Sequence, residues 1–234
     1  QHAHTWSFVD LPLAHQAFLG GQYKQEGAQL KWVLPTTQYV ELGAELGNGS
    51  AFPGSDRGGN ALGAALLSAR TGGDVGDSHS WRLGASWLRT KAQERAWGLA
   101  HDHGHAGETE ESSFTGTSRT WVLDGVWKWA PNGNAKRTHF ALQGEYFRRT
   151  ESGSAAVVEG TDPAIDGLYR SSQSGWYVQG VYQFVPQWRV GLRYDRLSSG
   201  SLSLGNADLA EHLAQPGYNP KRTSLMLDWS PSEF

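Results

Sequence analysis

The chain has 234 residues, a net charge of -3 and no cysteine. No run of about 18 apolar residues is present, which excludes a membrane-spanning helix, and the lack of cysteine excludes disulfide scaffolds and thiol chemistry. Basic residues are scattered along a slightly acidic chain, so nucleic acid is not an expected partner.

Segments of alternating apolar and polar residues recur from the first predicted element to the last. They are six to thirteen residues long, around the roughly ten residues that a tilted strand needs to cross a bilayer. In chain order they occupy residues 28–34, 40–46, 81–87, 120–129, 137–149, 174–185, 187–198 and 224–229. A further segment at 60–70 is apolar on both faces, so its register cannot be assigned. The pattern predicts about nine strands.

The connections between these segments alternate in length. Short links are predicted at 35–37, 130–136, 185–186 and 230–232, and long polar links at 47–59, 101–113, 150–173 and 199–221. The link at 71–78 is intermediate and falls where a short one is due. Such alternation is typical of the periplasmic turns and extracellular loops of outer-membrane barrels, as are aromatic residues near strand ends.

The fold class predicted from these features is all-β, an antiparallel up-and-down transmembrane β-barrel that forms a single domain over residues 1–234. A soluble sandwich, whose apolar face turns inward, shows the same alternation and stays as an alternative. About nine strands is an odd number, whereas bacterial single-chain barrels have an even one. The chain is therefore expected to be a fragment that lacks strands at both ends, with residues 1–26 as a loop segment on the extracellular side.

Several phrases of the sequence carry a family resemblance. They are AFLGGQ at 17–22, VELGAELG at 40–47, AFPGSDR at 51–57, GGDVGDSHSW at 72–81 and DWSPSEF at 228–234. Together they resemble a family of Gram-negative, porin-like outer-membrane proteins that are often described as zinc-regulated or uncharacterised. The resemblance implies a longer barrel, a location in the bacterial outer membrane and a link to the supply of divalent metal. It brings no catalytic signature.

One segment has the chemistry of metal ligands. Imidazole and carboxylate groups suit zinc, and a glycine-containing loop can wrap a cation. The candidate ligands are His101, Asp102, His103, His105 and Glu108, with Glu110, Glu111, His2 and His4 as further candidates. Their spacing matches no closed zinc site, so a hydrated polar loop is the alternative. Zinc is the one candidate cofactor.

Charged residues also recur on the polar face of the predicted strands, where a barrel lumen would lie. They are Glu41, Glu45, Arg82, Asp124, Lys128, Glu145, Arg149, Arg189, Arg193 and Asp195. Mixed charge makes a polar water path that orients solutes. The alternative is that these residues pair with one another and serve only the fold.

The function predicted is a porin-like channel for passive passage of small hydrophilic solutes, linked to zinc acquisition. No G-x-S-x-G or HExxH motif is present, so an enzyme is not expected. The expected partners are outer-membrane lipid, small solutes and further copies of the chain in a homo-oligomer. The alternatives are a non-conducting adhesion or structural barrel with partner-binding loops, and a soluble β-sandwich binding module.

Overall fold

A computed structural model describes residues 7–56, 62–97, 110–159, 163–213 and 217–231 of the chain. Within these residues, nine strands form one antiparallel sheet in which each strand pairs with the next along the chain. The strands are β1 (Gly27–Val33), β2 (Tyr39–Gly47), β3 (Ala64–Val75), β4 (His79–Trp97), β5 (Glu110–Trp129), β6 (His139–Glu159), β7 (Ile165–Val185), β8 (Trp188–Leu204) and β9 (Lys221–Trp229). Helices α1 (Leu13–Leu19) and α2 (Ala207–Leu213) and a short 3-10 turn (Pro131–Gly133) complete the described elements. The all-β, up-and-down fold class is thus confirmed.

The apolar face of the sheet points away from the rest of the molecule. Trp121, Leu123 and Leu192 expose 53%, 52% and 54% of their surface, whereas the side chain of Glu145 on the opposite face is 16% exposed. Because successive side chains of a strand point to opposite faces, this burial pattern extends along each strand. The arrangement is the reverse of a soluble sandwich, in which the apolar residues would be the buried ones.

The strands are longer than the alternation predicted. Strands β6 and β7 stay paired as far as Val157 and Ile165, so most of the long loop predicted at 150–173 is a hairpin. Its connection, residues 160–164, is shorter than the 130–138 connection at the other end, and strict alternation of link length is therefore wrong here. The outer parts of these strands are rich in serine, glycine and alanine, which weakens the apolar signal without preventing backbone pairing.

The same difference occurs at two other predicted loops. Strand β5 already begins at Glu110, within the link predicted at 101–113, and the link predicted at 199–221 contains the end of β8 and helix α2. The intermediate link at 71–78 is in fact a tight turn at residues 76–78, as its position in the alternation required. Strand β3 pairs with β2 and β4 in a single register, with Leu67 on the outer face at 54% exposure.

The segment that precedes β1 differs from the loop that was predicted for residues 1–26. Its described part contains helix α1, which packs against the polar face of β6, β7 and β8. Phe18 of the helix is 2% exposed and stacks on the fully buried Phe147 with 5.7 Å between ring centroids. The helix ends at Gly20, whose φ of 61° is the left-handed conformation that glycine adopts without strain. The polar face of the sheet is therefore occupied by the chain itself.

The sheet has two edges, because β1 and β9 each pair with one neighbour only among the described residues. In that same part of the chain, neither helix has the length and apolar character needed to cross a bilayer.

Candidate functional site

The candidate site is the polar face of the sheet together with the segment at 7–26 that lies on it. Its strongest contacts are formed by Arg193 and Asp195 on β8, whose side chains are 1% and 0% exposed and are joined at 3.0 Å. Arg193 also donates to the Asp10 carboxylate at 2.7 Å and to the Asp10 main-chain oxygen at 3.0 Å. Asp195 in turn accepts a hydrogen bond at 2.9 Å from the main-chain N–H of Leu13, the first residue of α1. A buried ion pair thus holds the N-terminal segment in place.

Two further contacts complete this attachment, which we call the β8 anchor (Asp10, Arg193, Asp195 and Arg222). Arg222 on β9 binds the second oxygen of Asp10 at 2.7 Å and approaches Asp195 at 3.4 Å. The Arg193 guanidinium lies 4.7 Å from the centroid of the Phe8 ring, a distance at which a cation–π attraction operates. Charges on both sides of the anchor are therefore compensated.

A second polar cluster lies beneath the helix. His15 of α1 contacts the Glu145 carboxylate at 2.9 Å, and the Tyr177 hydroxyl donates to the other oxygen of Glu145 at 2.9 Å. Gln143 donates to Tyr177 at 3.1 Å and accepts from Gln179 at 3.3 Å. This network of side chains from β6, β7 and α1 fixes where the helix sits.

A third cluster lies nearer the end of the sheet that carries the connections 48–63, 98–109, 160–164 and 205–220, called here the long-loop end. Arg95 of β4 forms a two-pronged pair with Glu151 of β6 at 2.8 and 3.2 Å, and it donates to the Pro53 main-chain oxygen at 2.6 Å. Arg149 lies 3.8 Å from the same carboxylate, and both guanidinium groups lie 5.1 Å from the Phe52 ring centroid. The cluster attaches the loop after β2 to the polar face of the sheet.

A cavity of about 390 Å³ opens between the N-terminal segment and strands β3 to β6. Its charged and titratable lining residues are His15, Tyr23, Lys24, Arg70, Arg82, Asp124 and Glu145. Burial and the nearby charge of Glu45 raise the pKa of Tyr23 to about 12, so this residue is a neutral hydrogen-bonding group at physiological pH. The cavity presents both signs of charge to a solute.

The side chain of Asp124 depends on a glycine opposite it. Gly84 pairs directly with Asp124 across β4 and β5, and a Cβ at Gly84 would lie 2.1 Å from Asp124 Oδ2. The Asp124 carboxylate therefore occupies the space above Gly84 that a side chain at that position would fill. This contact positions the negative charge in the cavity.

A second cavity, of about 610 Å³, lies on the other side of α1 toward the long-loop end. It is lined by Ala17 and Phe18 of the helix, by Arg149 and Gln173, and by the end of β8. Helix α1 thus separates two cavities on one face of the sheet.

All ten charged residues predicted for the lumen fall at polar-face positions of the strands, but most of them are paired. Besides the clusters above, Glu41 binds Arg70 at 3.1 Å, Glu45 accepts a hydrogen bond from Gln29, and Arg189 pairs with Asp228. Arg82 and Asp124 line the first cavity, and Lys128 is exposed close to the short turn after β5. The structure brings Asp124, Arg82 and Glu145 to the first cavity, and none of the other seven lines it.

Several residues of the site were missed from the sequence. Asp10 and His15 belong to a helix-containing segment that no strand pattern marks, and they meet β6 and β8 only through tertiary packing. Arg95 lies beyond a bulge between Ala92 and Arg95 that shifts the alternation, so its face could not be read from the pattern. Arg222 precedes the predicted segment 224–229, because strand β9 begins at Lys221, so the alternation did not identify it either.

The candidate zinc ligands at positions 101, 102, 103, 105 and 108 lie outside the described residues, as do His2 and His4. Among the residues that the structure describes, no group of three or more histidine or acidic side chains is placed to hold a metal ion. The zinc site stays a prediction.

Comparison with known proteins adds one relative. No protein-family model matches the chain, and no solved structure matches it. An uncharacterized protein from Aquifex aeolicus (strain VF5) is 26% identical over 246 residues, and the alignment covers 100% of this chain and 48% of the relative. The chain therefore spans about half the length of the curated relative that it matches, and the description of that relative names no activity.

Proposed function

We propose that this chain forms the wall of an outer-membrane β-barrel whose polar interior passes small hydrophilic solutes passively, with the N-terminal segment narrowing the path. The observation that carries the proposal is the exposure of large apolar side chains along the outer face while paired charges occupy the inner face. In water such a face would be a severe liability, whereas lipid tails cover it at no cost.

Aromatic residues on this outer face fall into two groups. The long-loop girdle comprises Trp87, Trp121, Tyr146, Trp176 and Tyr194, with ring centroids 6.4 Å apart for Trp87 and Trp121 and 5.5 Å apart for Trp176 and Tyr194. The short-turn girdle comprises Trp81, Trp127, Trp129, Phe140, Tyr182, Phe184, Trp188 and Trp229, with Trp127 and Phe140 at 5.8 Å and Trp188 and Trp229 at 6.1 Å. Aromatic rings gain free energy at headgroup level, so two girdles support two membrane interfaces.

Aliphatic side chains fill the outer face between the girdles. They are Leu83, Leu123, Leu142, Val178, Val190, Leu192 and Leu225, each at least 38% exposed. From Trp176 to Phe184 a strand advances about 26 Å at roughly 3.3 Å per residue, of the same order as the apolar band of outer-membrane barrels. This spacing favours a face built to contact lipid.

Backbone groups at the two sheet edges need partners inside a bilayer. Strands β1 and β9 run in the same direction, since consecutive strands alternate in direction and seven strands lie between these two edges. We propose that an odd number of further strands closes the barrel through antiparallel pairs.

A second candidate function is a non-conducting barrel. It is favoured by the position of α1 between the two cavities. The helix is held there by the β8 anchor and by the contact of His15 with Glu145. In that case the polar interior would be closed and the outer loops would serve a binding or structural role.

Conductance across planar phospholipid bilayers tests both candidates. A channel predicts stable ohmic steps from the wild-type protein, and larger steps from Arg193→Ala, which releases the N-terminal segment. A silent wild type with a conducting Arg193→Ala variant would favour the closed barrel. Silence of both proteins, after flotation with vesicles has proved insertion, would remove the pore proposal.

A further inference from the structure

A row of basic residues follows the long-loop girdle on the outer face. In four strands, the next outward position after a girdle aromatic carries an arginine, and the row is extended by a lysine on β4 and one on β9. We call the set the basic belt: Arg89, Lys91, Arg119, Arg148, Arg196 and Lys221, all of them exposed. Each arginine lies about 7 Å along its strand beyond the aromatic ring, at roughly 3.3 Å per residue. The belt therefore lies just outside the apolar band.

The strand register brings like charges together in this row. Arg89 pairs directly with Arg119 across β4 and β5, and Arg196 pairs directly with Lys221 across β8 and β9. Like charges placed opposite each other on a sheet are destabilising, so a fold gains nothing from these pairs by themselves. The arrangement calls for a negatively charged partner.

No such partner comes from the sheet. The side chains of the basic belt make no ion pair or hydrogen bond with the described part of the chain. The other outward positions at this level of β5 to β9 carry no carboxylate. One of them is a further arginine, Arg170, which pairs with Ser152, and the rest carry hydroxyl groups: Thr115, Thr117, Thr150, Ser152, Ser172, Ser174, Ser198 and Thr223. On β5 to β9 the belt is thus surrounded by cations and hydroxyl groups. On β4 the exposed Glu94 lies at the bulge beyond Lys91 and makes no ion pair with a belt residue among the described residues.

The opposite end of the strands has a different composition. The last outward positions there are occupied by His79, Trp129, Phe184, Trp188 and Trp229. Two basic residues at that end, Lys136 and Arg137, belong to a turn rather than to the outer face of a strand. The basic surface is therefore specific to the long-loop end, which in an outer membrane is the side of the outer leaflet.

We propose that the basic belt binds the phosphate groups of anionic lipid headgroups in the outer leaflet, an inference that rests on the proposed membrane insertion. Guanidinium groups bind phosphate oxygens in pairs of parallel hydrogen bonds, and neighbouring serine and threonine hydroxyls supply further donors. The girdle rings beneath the belt set the depth at which headgroups meet it. Bound phosphates also relieve the repulsion between Arg89 and Arg119.

The test compares two double variants that lose equal charge. Arg119→Gln/Arg148→Gln removes two belt residues, and Lys136→Gln/Arg137→Gln removes two exposed basic residues from the short-turn end. Each protein is reconstituted in phosphatidylcholine vesicles with and without phosphatidic acid, and the lipid retained after gentle detergent extraction is measured by native mass spectrometry. Because a basic residue near an anionic surface contributes roughly a fivefold factor, the belt variant should retain phosphatidic acid about 25-fold more weakly.

Further measurements distinguish a failure of lipid binding from a failure of membrane insertion. The control variant should bind phosphatidic acid like the wild type, and both variants should float with neutral vesicles to the same extent, which shows that they insert. Equal retention by the belt variant and the wild type overturns the proposal, as does displacement of the lipid by equimolar inorganic phosphate. A change in oligomeric state in place of lipid retention would assign the belt to contacts between copies. If the wild type does not float with vesicles, the proposed membrane insertion is wrong as well. If the wild type inserts but retains no more phosphatidic acid than the belt variant, only the lipid-binding proposal is wrong.

Discussion

Replacing Arg193 by alanine should both destabilise the fold and release the N-terminal segment. The side chain is 1% exposed and binds the fully buried Asp195 and the half-exposed Asp10. Removing one partner of a buried ion pair typically costs about 3–5 kcal/mol, because the other charge stays buried and uncompensated. Asp195 keeps the Leu13 N–H and a longer contact with Arg222, so we expect the low end, about 3 kcal/mol.

A matched control exists four residues earlier on the same strand. Arg189 pairs with Asp228, but the two side chains are 40% and 33% exposed. Pairs of this kind contribute at most about 1 kcal/mol, since water already solvates both charges. Arg189→Ala removes the same type of side chain from the same face and should therefore have less than a third of the effect.

The assay is reversible urea unfolding of the protein in phospholipid vesicles, followed by tryptophan fluorescence. Adding Asp195→Asn to the Arg193→Ala variant removes the stranded charge and keeps an acceptor for Leu13, so part of the lost stability should return. An Arg193→Ala variant no less stable than Arg189→Ala would refute the reasoning. Absence of any recovery with Asp195→Asn would show that the loss comes from packing against Phe8 rather than from the buried charge.

Four further predictions concern the outer face, the cavity, Tyr23 and the candidate zinc ligands. If the outer face contacts lipid as proposed, Leu123→Arg should cost about 2–4 kcal/mol or block insertion, because it places a charge against lipid tails; Ser86→Arg, on the cavity side of the neighbouring strand, should insert normally, and equal insertion of both variants would contradict the assigned faces. Gly84→Val should displace the Asp124 carboxylate by steric overlap and shift the selectivity of the pore toward anions, measured as a reversal potential in a salt gradient; an unchanged potential alongside a shifted one for Asp124→Asn would show that the glycine does not position the carboxylate. The pKa of Tyr23 is raised to about 12, so the fold favours its neutral form, and the stability that this provides is complete below pH 10 and lost as the pH rises from 10 toward 12. The increase in phenolate absorbance near pH 12 should therefore disappear in Tyr23→Phe. Its persistence in that variant would assign the titration to another tyrosine. Zinc, if bound by the segment at 101–108, should give a calorimetric isotherm that weakens at acidic pH and disappears when His101, His103 and His105 are replaced by alanine.

Much of the strand arrangement could be predicted from the local alternation of apolar and polar residues. The alternation in residues 174–185 and 187–198 predicted the β7 and β8 hairpin together with the face of each residue, because strand side chains alternate with a period of two. The same pattern failed beyond residue 150, because serine, glycine and alanine interrupt the apolar outer face of β6 and the buried Ala155 and Val157 are apolar residues on the inner face. It also did not extend to Arg95, which lies beyond the predicted segment 81–87 and after a bulge that reverses the alternation.

The candidate site could be predicted only in part. The charged residues of the polar face were identified from their position in each strand, and Asp124, Arg82 and Glu145 do share a cavity. Their partners were not identified, because Asp10 is 183 residues from Arg193 and His15 is 130 residues from Glu145 along the chain. Contacts at such separation leave no periodic signal in one sequence.

What the amino-acid order determined by itself is the wall: strands of alternating polarity, joined in sequence, with apolar and aromatic side chains on one face and charges on the other. Each of these features depends on near neighbours in the chain and on the geometry of an extended strand. Only the tertiary structure decided that the apolar face is the exposed one and that α1 fills part of the polar face. Both depend on which surfaces pack against each other. The buried pair of Arg193 and Asp195 is favourable only when Asp10 and the Leu13 N–H complete its hydrogen bonds.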